Sequence, residues 1–220
     1  MAADEKFTAL NRDLHKYLLD HGHNHDPLLA ELAAETAKLG RIAGMQIAAE
    51  QGTLMGILAR AIGARNAIEI GTFTGYSAIC VARALPSDGH LLCCDVNGEW
   101  TTIARRYWER AGLTNKITLK LAPAAETLAA LPAGTTFDFA FVDADKVSYR
   151  HYYEEILKRL RQNGLMLIDN VLWGGSVLDG KNQTDDTKAI RALNDFIAQD
   201  QRVDAVMIPV SDGLTIVRKR

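Results

Sequence analysis

The segment VDAVMIPVSDGLTIVRK, residues 203–219, decides the architecture. It holds two apolar runs, VDAVMIPV (203–210) and GLTIVRK (213–219), separated only by the few residues around Ser211–Gly213. A parallel pair of strands needs a crossover of about a dozen residues or more, so these runs form an antiparallel hairpin. Five further runs precede it: AIEI (67–70), HLLCCDV (90–96), KITLKL (116–121), FDFAFVDA (137–144) and LMLIDN (165–170). Helical periodicity fills the intervals at 75–85, 99–112, 124–131 and 148–162, and again at 186–199 before the hairpin. This alternation predicts a seven-stranded α/β sheet, doubly wound and mostly parallel, with helices on both faces. The hairpin places one reversed strand at its C-terminal end.

Upstream of residue 67 the chain reads as helices. Phe7, Leu10, Leu14, Tyr17 and Leu18 fall on one amphipathic face. Leu28, Leu29, Leu32 and Leu39 predict a second helix after Pro27, and a third runs from Glu50 to Ile62 and stops at Gly63. The composition sets the class. Of 220 residues 48% are hydrophobic and 24% charged, which excludes disorder, and 25 basic against 27 acidic residues leave a net charge of −2. Binding to nucleic acid through bulk charge is excluded. No apolar run reaches the roughly 18 residues of a membrane span. The start, MAADEKFTAL, has acids and no apolar core, so no secretory peptide is expected. Three cysteines, Cys80, Cys93 and Cys94, make no disulfide framework, and a reducing, cytoplasmic setting is expected.

The first strand runs into Glu69-Ile70-Gly71-Thr72-Phe73-Thr74-Gly75-Tyr76-Ser77. The glycines permit a tight turn and close approach to a ligand, and the helix that follows offers unpaired N–H groups. The second strand ends in Asp95, placed to accept hydrogen bonds from both hydroxyls of a ribose. A dinucleotide fingerprint needs glycine where Phe73 stands, which argues against a pyrophosphate and for a cofactor without phosphate, such as S-adenosylmethionine. Glu69 adds an acid suited to a cationic ligand. Taken alone, a glycine turn and a strand-end acid are also common structural features of α/β folds.

Strand four ends Phe141-Val142-Asp143-Ala144-Asp145-Lys146, and strand five ends Leu167-Ile168-Asp169-Asn170. Parallel strands bring both ends to one edge. Asp143, Asp169 and Asn170 then form a donor set suited to a hard divalent cation, Mg²⁺, Ca²⁺ or Mn²⁺. Asp145 and Asp169 also fit as helix N-caps, and Lys146 as a surface lysine paired with Asp145.

EIGTFTGYS, DV at the second strand end, FVDADK and LIDNVLWGG, in that order, resemble the cation-dependent O-methyltransferases, the class I group of the caffeoyl-CoA and catechol enzymes. The likeness runs from about Met45 to the hairpin; residues 1–44 match only as a helical extension of a single domain whose catalytic core is 45–220. The resemblance implies a Rossmann-like sheet and methyl transfer to a catechol-like, vicinal dihydroxy aromatic. It implies Asp143, Asp169 and Asn170 as metal ligands. It places S-adenosylmethionine against Glu69, Gly71, Thr72, Phe73, Ser77, Asp95, Ala124, Asp143 and Asp145, with Met45 and Ile47 closing over it. Lys146 matches a general base acting beside Asp143, and a homodimer is implied. The sequence departs at Ala122, where a glycine is usual, and at Gly98 and Trp100, where polar residues are frequent.

Metal chelation by two adjacent hydroxyls would lower a phenol's pKa from about 10, and Lys146 would take the proton. Trp173 fits either as a wall for an aromatic ring or as core packing. GGSVLDGKNQTDD (174–186) is polar and glycine-rich and predicts a mobile loop at the substrate mouth. His21, His23 and His25 read as a solvated turn, Cys93 and Cys94 as packed, and Arg105, Arg106 and Arg110 as a solvated helix face. A nicotinamide oxidoreductase is disfavoured by Phe73 and the hairpin, and a non-catalytic binding module by the intact set Asp143, Lys146, Asp169 and Asn170.

Overall fold

The computed structural model describes residues 8–22 and 25–220, so Phe7 and His23 lie outside the described residues. The chain begins with α1 (Arg12–Gly22), α2 (Pro27–Thr36), a 3₁₀ stretch (Ala37–Met45) and α3 (Ala49–Ala61). The alternating part follows as β1 (Asn66–Ile70), α4 (Tyr76–Ala84), β2 (His90–Asp95), α5 (Gly98–Arg110), β3 (Ile117–Leu121), α6 (Ala124–Ala130) and β4 (Phe137–Val142). It ends with α7 (Tyr149–Arg159), β5 (Leu160–Asp169), α8 (Asp185–Gln199), β6 (Val203–Ile208) and β7 (Leu214–Lys219). The strand order is β3-β2-β1-β4-β5-β7-β6. β1 to β5 pair in parallel, and β7 runs antiparallel to both β5 and β6. The predicted doubly wound sheet with its terminal hairpin is the observed one.

Alternation along the strands divides the core. Ala67, Cys93, Phe139, Phe141, Leu165 and Leu167 face α2 to α5, whereas Ile68, Ile70, Ala140, Val142, Met166 and Ile168 face α6 to α8. Among the described residues no helix is long and apolar enough to cross a membrane.

Three features depart from the sequence expectation. The first is at α7, which stops at Arg159 instead of residue 162. There the Arg161 side chain is drawn to Asp138 (2.7 Å) and to the carbonyl of Ile62 (2.8 Å), and Asn163 adopts a φ of 60°. The second is at α1, which buries none of its residues: Leu14, Tyr17 and Leu18 stay exposed, as does Leu10, which precedes the helix. The third concerns the arginines of α5. Arg106 pairs with Glu35 and Arg110 with Glu31, while the Tyr107 hydroxyl donates to Glu35 at 3.0 Å, so this face holds α2.

α2 itself is well specified. Asp26 accepts from the N–H groups of Leu28 and Leu29, and Pro27 occupies the first turn. Leu32 is completely buried in the shared core. Surface ion pairs contribute about 0–1 kcal/mol each, so burial anchors this helix. Leu32→Ala is expected to lower the unfolding free energy by about 2–5 kcal/mol in urea titration, a global loss rather than detachment of one helix. A change below about 1 kcal/mol would place α2 outside the cooperative core.

Candidate active site

The strand register builds the site. Cys93, Glu69, Phe141 and Leu167 lie side by side across β2, β1, β4 and β5. Two residues further along, on the same face, stand Asp95, Gly71, Asp143 and Asp169. The ladder continues into this row, because Gly71 N–H donates to Cys94 and Asp143 N–H donates to Ile70. Gly71 has a φ of 90°, and a Cβ there would stand 1.8 Å from the carbonyl oxygen of Asp143. No other residue fits between the flanking acids.

Each acid of the row has its own partners. Asp95 accepts from three backbone N–H groups, those of Thr72 (2.9 Å), Phe73 (2.8 Å) and Asn97 (2.8 Å), and so fixes the glycine turn. The Asp143 carboxylate accepts from the Lys146 ammonium at 3.0 Å. Asp169 accepts from Asn170 N–H (2.7 Å) and from the side-chain amide of Gln51 (2.9 Å). Burial raises the pKa of Asp143, against the pull of Lys146. Burial, reinforced by Asp143, raises that of Asp169 to about 7.

Lys146 is buried and donates to Asp143, to the Asn170 side-chain oxygen (2.6 Å) and to the Tyr149 hydroxyl (2.6 Å). It makes no pair with Asp145, whose carboxylate instead accepts from the Tyr152 hydroxyl at 2.6 Å. The surface-pair alternative for Lys146 is therefore overturned. Neither Asp145 nor Asp169 caps a helix through its side chain, which removes that alternative too. The Lys146 ammonium stands between the oxygens of Asp143 and Asn170. Among the described residues no cluster of three or more His, Cys, Asp or Glu forms a metal site; the candidate donors are two carboxylates and one amide.

These groups open onto a cavity of about 940 Å³. Met45, Ile47, Gly71, Thr72, Phe73, Ser77, Asp95, Ala124, Asp143, Asp145, Lys146, Asp169, Asn170 and Trp173 all line it. Glu69 does not: it is completely buried under the turn. Its pKa is pushed up to about 8 by burial, while hydrogen bonds with Ser77 and Thr72 pull it down. Phe73 packs edge-on against Trp100, with ring centroids 5.2 Å apart. Trp173 is half-buried at the cavity wall, its ring 5.6 Å from the Lys146 nitrogen, so it is not a core residue.

Segment 174–186 is better fixed than its composition predicts. Arg191 of α8 donates to the carbonyls of Ser176 (2.8 Å), Val177 (2.9 Å), Asn182 (3.0 Å) and Asp179, and Gly174 N–H donates to Asp212 (2.6 Å). Sequence reading missed Gln51, Tyr149, Arg191 and Asp212. Only Asp212, beside the glycine of the hairpin turn, carried a local signal.

The O-methyltransferase family model matches residues 19–220. The chain belongs to this family. The O-methyltransferases are S-adenosylmethionine-dependent enzymes, and the chain is one of them. It is 39% identical over 213 residues to a probable caffeoyl-CoA O-methyltransferase 1 of Dictyostelium discoideum, covering 95% of this chain and 93% of that protein. It is 40% identical over 210 residues to the catechol O-methyltransferase domain-containing protein 1 of Mus musculus, covering 94% and 79%. The solved structure of the O-methyltransferase TomG from Streptomyces achromogenes, in complex with S-adenosylmethionine, is similar with a TM-score of 0.86 at 29% identity, covering 94% of this chain and 96% of that one.

The proton on Glu69 has a measurable consequence. In the folded methyltransferase this carboxyl keeps its proton up to about pH 8, whereas an unfolded glutamate loses it near 4.5. Between these values the folded state binds the extra proton, so the contribution of Glu69 makes stability fall as pH rises. Glu69→Gln is expected to flatten the pH dependence of unfolding free energy across this window, by at most about 1.4 kcal/mol per pH unit. Equal slopes for the two proteins would mean that Glu69 ionises normally in the fold.

Proposed function

We propose that the enzyme is a divalent-cation-dependent O-methyltransferase acting on a hydroxyl of a catechol-like aromatic. One observation carries this reading: the Lys146 ammonium, inside the cavity, is held by the oxygens of Asp143 and Asn170 with Asp169 in the same strand-end row. Oxygens gathered around a cation at a largely apolar wall suit a second, more highly charged one.

Asp143, Asp169 and Asn170 would hold the cation, and their oxygen chemistry suits Mg²⁺, Ca²⁺ or Mn²⁺. When bound, such an ion lowers the pKa of a coordinated hydroxyl and helps to orient it. Methyl transfer forms a C–O bond to the acceptor as the C–S bond of the sulfonium breaks. The donor's ribose falls to Asp95, whose oxygens retain lone pairs beyond their three backbone bonds. Ala124 offers its backbone amide to the adenine, Asp145 a carboxylate to the methionine amine, and Met45 and Ile47 the apolar cover. Glu69 supports the donor site from below, through Ser77 and Thr72. Trp173 flanks the acceptor ring.

Lys146 takes the acceptor proton at Nζ. Its nitrogen presently donates to three oxygens, as an ammonium does, so it must give up a proton and its bond to Asp143 before it can act as a base. Cation binding at Asp143 favours both changes. The three unpaired thiols support a cytoplasmic setting, and a second copy of the chain is the partner proposed for the uncovered face of α1.

The test is a methyl-donor assay over catechols and acyl-CoA catechols. Turnover is expected with Mg²⁺ or Mn²⁺ and is expected to vanish on exhaustive chelation; activity that survives chelation would remove the cation from the mechanism. Lys146→Met is expected to lower kcat by about 10²–10⁴-fold with S-adenosylmethionine affinity unchanged, read by steady-state kinetics and calorimetry. Unchanged turnover would remove the lysine as base.

A further inference from the structure

Gln51 lies on α3, 118 residues from Asp169 in sequence, and is completely buried. Its Nε2 donates to Asp169 Oδ2 at 2.9 Å, while Asn170 N–H donates to the other carboxylate oxygen. The Oε1 of Gln51 is buried and has no hydrogen-bond partner among the described residues. An unpaired buried carbonyl costs about 1–3 kcal/mol, and turning the amide over would set that oxygen against the carboxylate instead. The amide is therefore fixed by Asp169 alone.

The helix that carries it is closely packed. The adjacent Gly52 presses α3 onto α4 so closely that a Cβ there would stand 2.7 Å from Cys80 Sγ and 3.1 Å from the Tyr76 ring. Gln51 thus sits on a closely packed helix and donates to the one acid of the strand-end row that neither a lysine nor the glycine turn engages. A neutral donor suits the position. It fixes the carboxylate plane without adding a charge that would compete with a cation.

We propose that Gln51 is a positioning residue for Asp169, holding its carboxylate in the orientation from which it takes a divalent cation together with Asp143 and Asn170. The inference rests on the reading of those three residues as the cation site. A hydrogen-bonding partner behind a metal-binding carboxylate is commonly worth 10–100-fold in metal affinity.

The experiment measures Mn²⁺ binding to the full chain by calorimetry and by water-proton relaxation, for wild type, Gln51→Met and Asp169→Asn. Gln51→Met keeps the length of the side chain and removes the donor. Its Kd for Mn²⁺ is expected to rise about 10–100-fold, with a changed relaxation enhancement and an unchanged affinity for S-adenosylmethionine. A Kd equal to that of wild type, with Asp169→Asn impaired, would overturn the role of Gln51 and leave the cation site standing. Wild type that binds no Mn²⁺, or an Asp169→Asn variant that binds it normally, would overturn the inference together with the reading beneath it. A measurement on wild type alone guards against a variant that fails to fold: the side-chain amide resonance of Gln51 is expected to shift as Mg²⁺ is added. A resonance unmoved at saturation would equally overturn the proposal.

Discussion

At Gly71 the chain passes so near the carbonyl of Asp143 that a side chain of any size would collide with it. The cavity floor depends on this approach. β1 lies at the centre of the parallel sheet, between β2 and β4, and Gly71 occupies its place in a row otherwise made of Asp95, Asp143 and Asp169. The gap it leaves is the only position in that row from which nothing projects. A ligand can therefore reach across the strand ends, with the carboxylate of Asp95 on one side and those of Asp143 and Asp169 on the other.

Three acids at one edge would repel each other and hold their protons if they were left alone. The fold answers with three different partners. Asp95 takes backbone N–H groups, which lock the turn. Asp143 takes the ammonium of Lys146. Asp169 takes a neutral amide and stays the least compensated, which accords with a pKa raised to about 7. The chain's net charge of −2 says nothing about this edge, because the ionic surface pairs such as Arg106–Glu35 and Arg110–Glu31 cancel elsewhere.

The sheet was legible because its signals are local or periodic. Two strands joined by only a few residues can only be antiparallel, and parallel pairing brings the strand-end acids Asp143 and Asp169 to one edge. The site residues were legible for the same reason, as strand ends. What escaped was set by contacts with no local pattern. Gln51 meets Asp169 across 118 residues, and no property of a glutamine in a helix announces that. Arg191 looks like any helical arginine, yet its guanidinium collects the carbonyls of a glycine-rich stretch whose composition alone predicts mobility. The end of α7 was misplaced because Arg161, a good helix former, is drawn to Asp138 on the neighbouring strand. Its position just before the glycine turn predicts that Glu69 faces the cofactor, but one step down the same face puts it under the turn.

Backbone strain points to the same edge. Five described non-glycine residues have positive φ, and four of them, Phe73, Asn170, Trp173 and Ser211, line the cavity. Each such residue costs of order 1–3 kcal/mol and persists only where its surroundings enforce it. Here the enforcing groups can be named. Asp95 accepts from the N–H of Phe73, Asp169 from that of Asn170, and Asp212 from that of Gly174, next to Trp173. The carboxylates thus act on the backbone that shapes the cavity. A wall fixed in this way before binding loses little further freedom when a ligand arrives, so more of the interaction energy remains for affinity and orientation. Folding has already met the cost of ordering the site, and the buried core on both faces of the sheet is what sustains it.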